Sequence, residues 1–314
     1  MKKILKWTGI ILGSLLLILA ISAFYLKTKA ENLANRTFDQ KVEAIVIPTD
    51  SLSLVRGKLL SVGCRECHGH DLAGKDLFND PMIGYMSSPN ITRAKGSATE
   101  HYSDIDYVRT FRHCLNPQGK ALTVMPSESI GLLSDEDLGC LIAYLKTLDP
   151  IEKTQGPTNF TLMAKIMSGA GLFGDLYPYD IIDHNAVHHL KSPPKSIKAE
   201  YGAYMAGFHG CKTCHGTQLA GGISPDPSSP PVPNITPGGN VAKWTVNQFR
   251  ESMRTGKTPE NKTLDAKFMP WPGIGVHDDE ELEALYNYLK SLPATPTDAK
   301  LQKKLDEMNA AITK

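Results

Sequence analysis

Cys64-Arg65-Glu66-Cys67-His68 and Cys211-Lys212-Thr213-Cys214-His215 decide how the rest of this 314-residue chain reads. Each has the form C-x-x-C-H, the pattern of covalent c-type haem attachment. Two thiols three residues apart sit on one helical turn, where each can add to a vinyl group on the same porphyrin edge. The histidine after the second thiol is then carried beneath the iron as its proximal ligand. A thioredoxin-like redox site would lie in a βαβ pattern, and no Val/Ile-rich strand precedes either motif. One zinc site built from all four cysteines would leave both histidines, and a methionine in each half, without a purpose. The reading is two covalently attached c-type haems, held by Cys64, Cys67, His68, Cys211, Cys214 and His215.

Outward from these motifs the chain repeats itself. Cys211 lies 147 residues after Cys64, while Asn234-Ile235-Thr236 follows Asn90-Ile91-Thr92 by 144. Met269-Pro270 follows Met125-Pro126, and Tyr288-Leu289-Lys290 follows Tyr144-Leu145-Lys146, also by 144. A three-residue deletion after the haem motif reconciles the offsets. A period this long marks a duplicated domain, not a solenoid. Each copy is expected to run helix (53–62; 199–208), haem motif, Gly/Pro/Asn-rich loop, middle helix (103–114; 245–254), methionine loop and closing helix. The closing helices cover 138–148 behind Ser134-Asp135-Glu136-Asp137 and 282–292 behind His277-Asp278-Asp279-Glu280. Acids at those N-termini suit the helix dipole, and Leu138, Leu141, Ile142 and Leu145 recur at the spacing of a buried face. Pro150 and Pro293 end the two helices.

A methionine sixth ligand raises the reduction potential of a c-type haem. Met125 and Met269 are the candidates, standing 57 and 54 residues after their histidines. The proline behind each restricts the backbone and so aims the sulfur. The plainer alternative is a gap-filling methionine, and Met82 and Met86 in the first long loop compete. His70, His101, His113, His209 and His277 have no equivalents across the repeat and read as surface or packing residues. His184, His188 and His189 cluster without an acidic or thiol partner at metal-site spacing. Cys114 and Cys140 remain. In an oxidising compartment the favoured expectation is a disulfide between them, since their counterparts Gly256 and Ala284 lack thiols together. Free thiols, or Cys114 as an iron ligand replacing Met125, stay open.

The N-terminus is basic at Lys2, Lys3 and Lys6, and Trp7 to Leu26 then carries no charge for 20 residues. That length spans a hydrocarbon core of about 30 Å, and Trp7 and Phe24-Tyr25 sit where aromatic rings favour the interface. A cleaved signal peptide ending near Ser22-Ala23 is the alternative, but signal cores run about 7 to 15 residues. The lysines favour a cytoplasmic N-terminus, and c-type haem is attached outside the cytoplasm. The expected divisions are a transmembrane anchor 1–26, tether 27–50, first domain 51–150, apolar connector 151–198, second domain 199–296 and tail 297–314. The connector is expected to form a helix near 160–167 and then wrap one or both domains. A net charge of +1 and 21% charged residues give no reason to expect nucleic acid.

The paired C-x-x-C-H motifs, Asn-Ile-Thr turns, Met-Pro loops and acid-capped closing helices ending in Tyr-Leu-Lys resemble class I cytochrome c. The nearer likeness is to diheme membrane-linked cytochromes, including cytochrome subunits of periplasmic dehydrogenases, over residues 48–296 or thereabouts. The resemblance implies an all-α fold of two tandem class I domains behind a transmembrane helix. It implies that the first and last helices of each domain cross at a small residue beside an aromatic. Gly57 with Tyr144 suits that role, and Gly202 with Tyr288 suits it less well. It also suggests that Tyr102 and Trp244, which correspond across the repeat, meet a haem propionate; core packing is the alternative. Asn90 and Asn234 either do similar work or shape their loops. The implied function is single-electron transfer in a periplasmic respiratory chain, with the haem domains facing the periplasm from the inner membrane. The partners would be a dehydrogenase or quinol-oxidising complex and another cytochrome or terminal oxidase, with no catalytic residues. The alternatives are a haem enzyme acting on sulfur compounds or peroxide, and the cytochrome subunit of an alcohol or sugar dehydrogenase.

Overall fold

With no charge from Trp7 to Leu26 to interrupt it, the chain opens as one long helix, α1 (Lys2–Ala34), in a computed structural model that describes residues 2–223 and 229–312. Met1 and the last two residues of the expected tail lie outside the described residues. None of the most apolar 18-residue window of α1, with a mean hydropathy of 2.4, is buried, and the helix is long enough to cross a membrane. The helix continues eight residues past Leu26, so the segment expected as a tether starts as a rigid stem. Its remainder is pinned down: Phe38 stacks on Tyr179 at 3.8 Å, and the Val46 carbonyl lies against Gly139.

The first unit contains α2 (Ser51–Leu60), a 3-10 turn over 61–64, α3 (Arg65–His68), α4 (Asp104–His113), α5 (Ser127–Ile130) and α6 (Asp135–Lys146). Asp50 caps α2 by accepting from the Ser53 amide at 3.0 Å, and Ser134 caps α6 through the Asp137 amide. After the connector helix α7 (Leu162–Gly169), the second unit repeats the order: α8 (Ala199–Phe208), α9 (Cys211–His215), α10 (Val246–Thr255), α11 (Trp271–Gly275) and α12 (Asp279–Ser291). A last helix, α13 (Ala299–Ile312), occupies the segment expected as a tail.

The expectation of an all-α chain needs a correction. Residues after the first haem motif form an antiparallel sheet of β1 (Lys75–Asp80), β2 (Gly84–Ser88) and β3 (Asn159–Phe160), in that order. Asp80-Pro81-Met82-Ile83 makes the reversal, with the Asp80 carboxylate accepting from the Met82 and Ile83 amides at 2.8 Å. Proline at a turn and two short, mostly polar strands hide this hairpin from a search for apolar alternation. The connector supplies β3, so it grips the first unit before α7 begins.

In each unit the first and last helices cross where no side chain fits. A Cβ on Gly57 would lie 1.9 Å from the Cys140 carbonyl oxygen, and one on Gly202 would lie 2.0 Å from that of Ala284. Tyr144 and Tyr288 flank the crossings equally, at 2.8 and 2.7 Å. Gly202 therefore fills the same role as Gly57 after all; the two-residue difference in spacing before the cysteines is absorbed between helix and motif. The helices bury Leu138, Leu141, Ile142 and Leu145 in the first unit and Leu282, Leu285 and Leu289 in the second, within one continuous core.

The units also meet through charge. Arg56 donates to Asp137 at 2.8 Å and to Glu281 of the second unit at 2.6 Å. Tyr201 donates to Glu281 at 3.0 Å and Tyr204 to Asp137 at 2.6 Å. His277 Nδ1 lies 2.9 Å from Glu281, and its Nε2 lies 3.0 Å from His209 Nε2. Burial alone would raise the Glu281 carboxyl, but His277 and Arg56 overcome it and hold it far below the usual carboxylate range. Helix α5 packs on α8, and α11 on the 3-10 turn before Cys64, so each methionine loop is followed by a helix docked on the other unit.

Two outcomes follow from this packing. Gly57→Ala and Gly202→Ala should each cost about 1–3 kcal/mol or more by overpacking, read as a fall in thermal midpoint, whereas Gly222→Ala, with no atom near its Cβ position, should not. Arg56→Leu should cost about 3–5 kcal/mol at neutral pH by stranding two buried carboxylates. Because the Glu281 pKa is depressed by folding, its contribution is complete above its ordinary value of 4.5 and is lost at lower pH. The deficit of the variant should therefore narrow on acidification in pH-dependent unfolding; a constant deficit would count against the network.

Candidate haem sites

Each C-x-x-C-H sequence coils into a single turn, α3 or α9, that buries the histidine and leaves the second cysteine outward. His68 is 9% exposed and His215 5%. Cys64 and Cys211 pack against the core, while Cys67 and Cys214 are exposed. His68 Nδ1 lies 2.8 Å from the Pro89 carbonyl and His215 Nδ1 2.8 Å from that of Pro233. A carbonyl only accepts, so each ring carries its proton on Nδ1 and keeps a bare Nε2 lone pair. Burial lowers both histidines and keeps them neutral. A buried, neutral imidazole with an oriented, unprotonated Nε2 beside two thiols suits haem c.

The Asn-Ile-Thr turns set those carbonyls in place. Asn90 Oδ1 accepts from the amide and hydroxyl of Thr92 at 2.9 and 2.7 Å, and its Nδ2 donates to the Ile151 carbonyl at 2.8 Å. Asn234 repeats every contact, with Thr236 and the Thr295 carbonyl as partners. These asparagines shape their loops, one of the two roles considered for them. A further pattern escaped the sequence reading. His-Gly-x-x-Leu-Ala-Gly follows both cysteine pairs, at 68–74 and 215–221. Leu72 and Leu219 within it adopt left-handed φ of 59° and 58°, are 1% exposed, and each accept at the carbonyl from the isoleucine of the next Asn-Ile-Thr turn at 3.0 Å. The identical 147-residue spacing was the available signal.

Met125 and Met269 both pack, partly buried, against the shared core. Their loops superimpose in dihedral space: Pro126 has φ −77°, ψ 53° and Pro270 has φ −75°, ψ 54°. In both, the methionine carbonyl accepts from the amide two residues on at 2.7 Å. Tyr102 and Trp244 do not share an environment. Tyr102 lies edge-on to Tyr107 at 5.2 Å, whereas Trp244 Nε1 donates to Glu260 at 2.8 Å.

The expected disulfide is not formed, and the reason is placement. Cys140 is on α6 at the crossing with α2, whereas Cys114 is buried under the methionine loop, its thiol 3.5 Å from the Met125 carbonyl. Cys114 caps α4 with a left-handed φ of 55°, the place that Gly256 takes after α10. A Cβ on Gly256 would strike the Trp271 ring at 2.6 Å. The first unit has Ser127 instead of that tryptophan after its Met-Pro pair, and the Cys114 side chain fills the freed space. Burial pushes the Cys114 thiol up to about 11, so it stays protonated. The connector histidines divide: His184 packs on His113, Nδ1 to Nδ1 at 3.0 Å, whereas the exposed His189 lies 2.7 Å from Glu43, an acidic partner its own stretch of sequence does not supply. No metal-binding group of His, Cys, Asp or Glu occurs among the described residues.

Residues 199–293 match the cytochrome c family. The chain is 26% identical over 279 residues to the fructose dehydrogenase cytochrome subunit of Gluconobacter japonicus, covering 77% of this chain and 53% of that protein. It is 24% identical over 260 residues to the gluconate 2-dehydrogenase cytochrome c subunit of Pantoea cypripedii, covering 74% and 57%. To the cytochrome c subunit of alcohol dehydrogenase (quinone) from Gluconacetobacter polyoxogenes it is 21% identical over 250 residues, covering 73% and 52%. The chain spans about half the length of these relatives. The second C-x-x-C-H unit is thus a cytochrome c family domain, in a chain distantly related to cytochrome subunits of fructose, gluconate and alcohol dehydrogenases.

Proposed function

We propose that the chain is a membrane-anchored diheme c-type cytochrome that passes single electrons on the periplasmic side of the inner membrane. The observation that carries this reading is the matched pair of buried histidines, each with its Nδ1 on a proline carbonyl and its Nε2 bare. Only the second is covered by the family match; the first repeats its geometry bond for bond. Bound haem supplies one-electron chemistry at iron. Cys64 and Cys67, and Cys211 and Cys214, tether the two porphyrins. His68 and His215 offer Nε2 to the irons, made more basic by the Nδ1 hydrogen bond, and Met125 and Met269 offer thioether sulfur as sixth ligands.

The relatives' names favour a dehydrogenase as electron donor, directly or through a quinol-oxidising complex, and another cytochrome or terminal oxidase as acceptor. Retention of α1 as an anchor is supported by the length of its uncharged run, 20 residues against the roughly 7 to 15 of a signal core, and by its continuity as one helix with the stem that packs on α7 at Leu26 and Glu31. A haem enzyme ligated by Cys114 is the weaker reading, because that thiol is accounted for by the space Trp271 takes in the other unit.

The purified protein should keep two haems per chain after extraction into acidified organic solvent. Cys211→Ser with Cys214→Ser should retain one, and a single haem in the unaltered protein would overturn the reading. Met269→His should lower one midpoint potential, with the other near its original value, and remove about half of the sulfur-to-iron absorption of the oxidised protein. An unchanged redox titration would exclude Met269 as a ligand.

A further inference from the structure

Helix α7 runs antiparallel to the stem. Its Lys165 pairs with Glu31, while Gly169, one turn later, meets the backbone of Leu26, five residues earlier on α1. Following α7 toward its C-terminus therefore means descending α1 to the residue where the uncharged run ends. The contact is intimate, since a Cβ on Gly169 would lie 2.0 Å from the Leu26 carbonyl oxygen. A polar ladder of Lys27, Glu31 and Lys165 marks the level just above. Below it the exposed side chains are apolar, with Phe24 69% and Tyr25 65% exposed.

The chain turns just beyond that level, through Ala170-Gly171-Leu172-Phe173-Gly174, with the Leu172 amide donating back to the Met167 carbonyl at 3.0 Å; no charged residue occurs from Ile166 to Gly174, and Asp175 begins the return. Gly171 and Gly174 take left-handed φ of 77° and 68° to make the reversal. Leu172 at the tip is 64% exposed. A large apolar side chain held in the open at the end of a charge-free loop is costly in water, at about 25 cal/mol per Å² of apolar surface. Beside a membrane-crossing helix the same placement is favourable, because the loop adjoins hydrocarbon.

We infer that the 170–174 loop is a membrane-inserted foot, seating Leu172 in the acyl region of the bilayer beside the upper end of α1. This rests on α1 being retained as the anchor. The occupant is lipid, because the surface is continuous with the span itself and lies below the lysines that mark its edge. With stem and foot both embedded, the first haem unit has two points of attachment and a fixed height over the bilayer.

Spin labels test this in the full-length holoprotein, reconstituted in vesicles of phosphatidylethanolamine and phosphatidylglycerol without added reductant, each accessibility being the relaxation that oxygen or a nickel chelate adds to that label's own, so that a fixed contribution from haem iron cancels. Labels are placed by Leu172→Cys, Leu162→Cys and Ser14→Cys, with the unlabelled background set by the parent protein. Leu162 is 60% exposed but sits about 10 Å higher on α7, at 1.5 Å per residue. The expected result is relaxation by oxygen over a nickel chelate at 172 and 14, and by the nickel chelate over oxygen at 162. If 172 behaves like 162 while 14 stays oxygen-accessible, the anchor stands and the foot is wrong. If 172 is shielded from both reagents, protein covers it and the proposal also fails. If 14 is itself nickel-accessible, or mass spectrometry shows the first residues missing, the anchor reading falls and takes the foot with it.

Discussion

Close backbone approach at Gly57 and Gly202 is the constraint on which the remaining geometry depends. Helices that cross with a glycine against a carbonyl oxygen have one allowed axial position, because a shift in either direction brings a side chain into the contact. With the crossing fixed, the turn that leaves α2 or α8 delivers the cysteine pair to one place, and the histidine after it to one depth in the core. The proline carbonyl then meets Nδ1 because the Asn-Ile-Thr turn is tied to the segment that follows the closing helix. Position thus passes from a glycine contact to an imidazole lone pair through a short series of hydrogen bonds.

The electrostatics of the molecule separate into two kinds. At the two C-x-x-C-H turns burial depresses the histidines, and the proline carbonyl on Nδ1 leaves Nε2 available. Between the units, Arg56, Asp137 and Glu281 satisfy one another, with Tyr201, Tyr204 and His277 completing the set. A buried ionic cluster of this kind contributes more to choosing one docking arrangement than to overall stability. Its members come from both units, so it registers one against the other.

Much of this arrangement was readable from the residues. The cysteine pairs, their histidines, the helix order and the acidic cap behind Ser134 all carry local signals that need no partner to be recognised, whereas the crossing glycines came only with the family resemblance. The repeat multiplied their value, since Pro126 and Pro270 adopt the same bend. What escaped notice depends on neighbours distant in sequence. Cys114 and Cys140 looked like a pair because both are unmatched across the repeat, yet one replaces a glycine beneath a loop and the other faces a helix crossing. The hydrogen bond from Trp244 to Glu260 is one that no motif announces. The hairpin at 75–88 is stabilised by a strand 71 residues further on, and the His209–His277 contact joins two side chains from opposite ends of a unit.

The reciprocal docking of α5 on α8 and of α11 on the turn before Cys64 has an evolutionary corollary. Duplication ordinarily frees one copy to drift, be lost or be transplanted elsewhere. Here each copy has become part of the wall of its sibling, so splitting the gene would bare two complementary surfaces at once and demand new cover for both. Divergence at the packed loops then favours compensated swaps, as where Cys114 and Ser127 of one unit stand for Gly256 and Trp271 of the other.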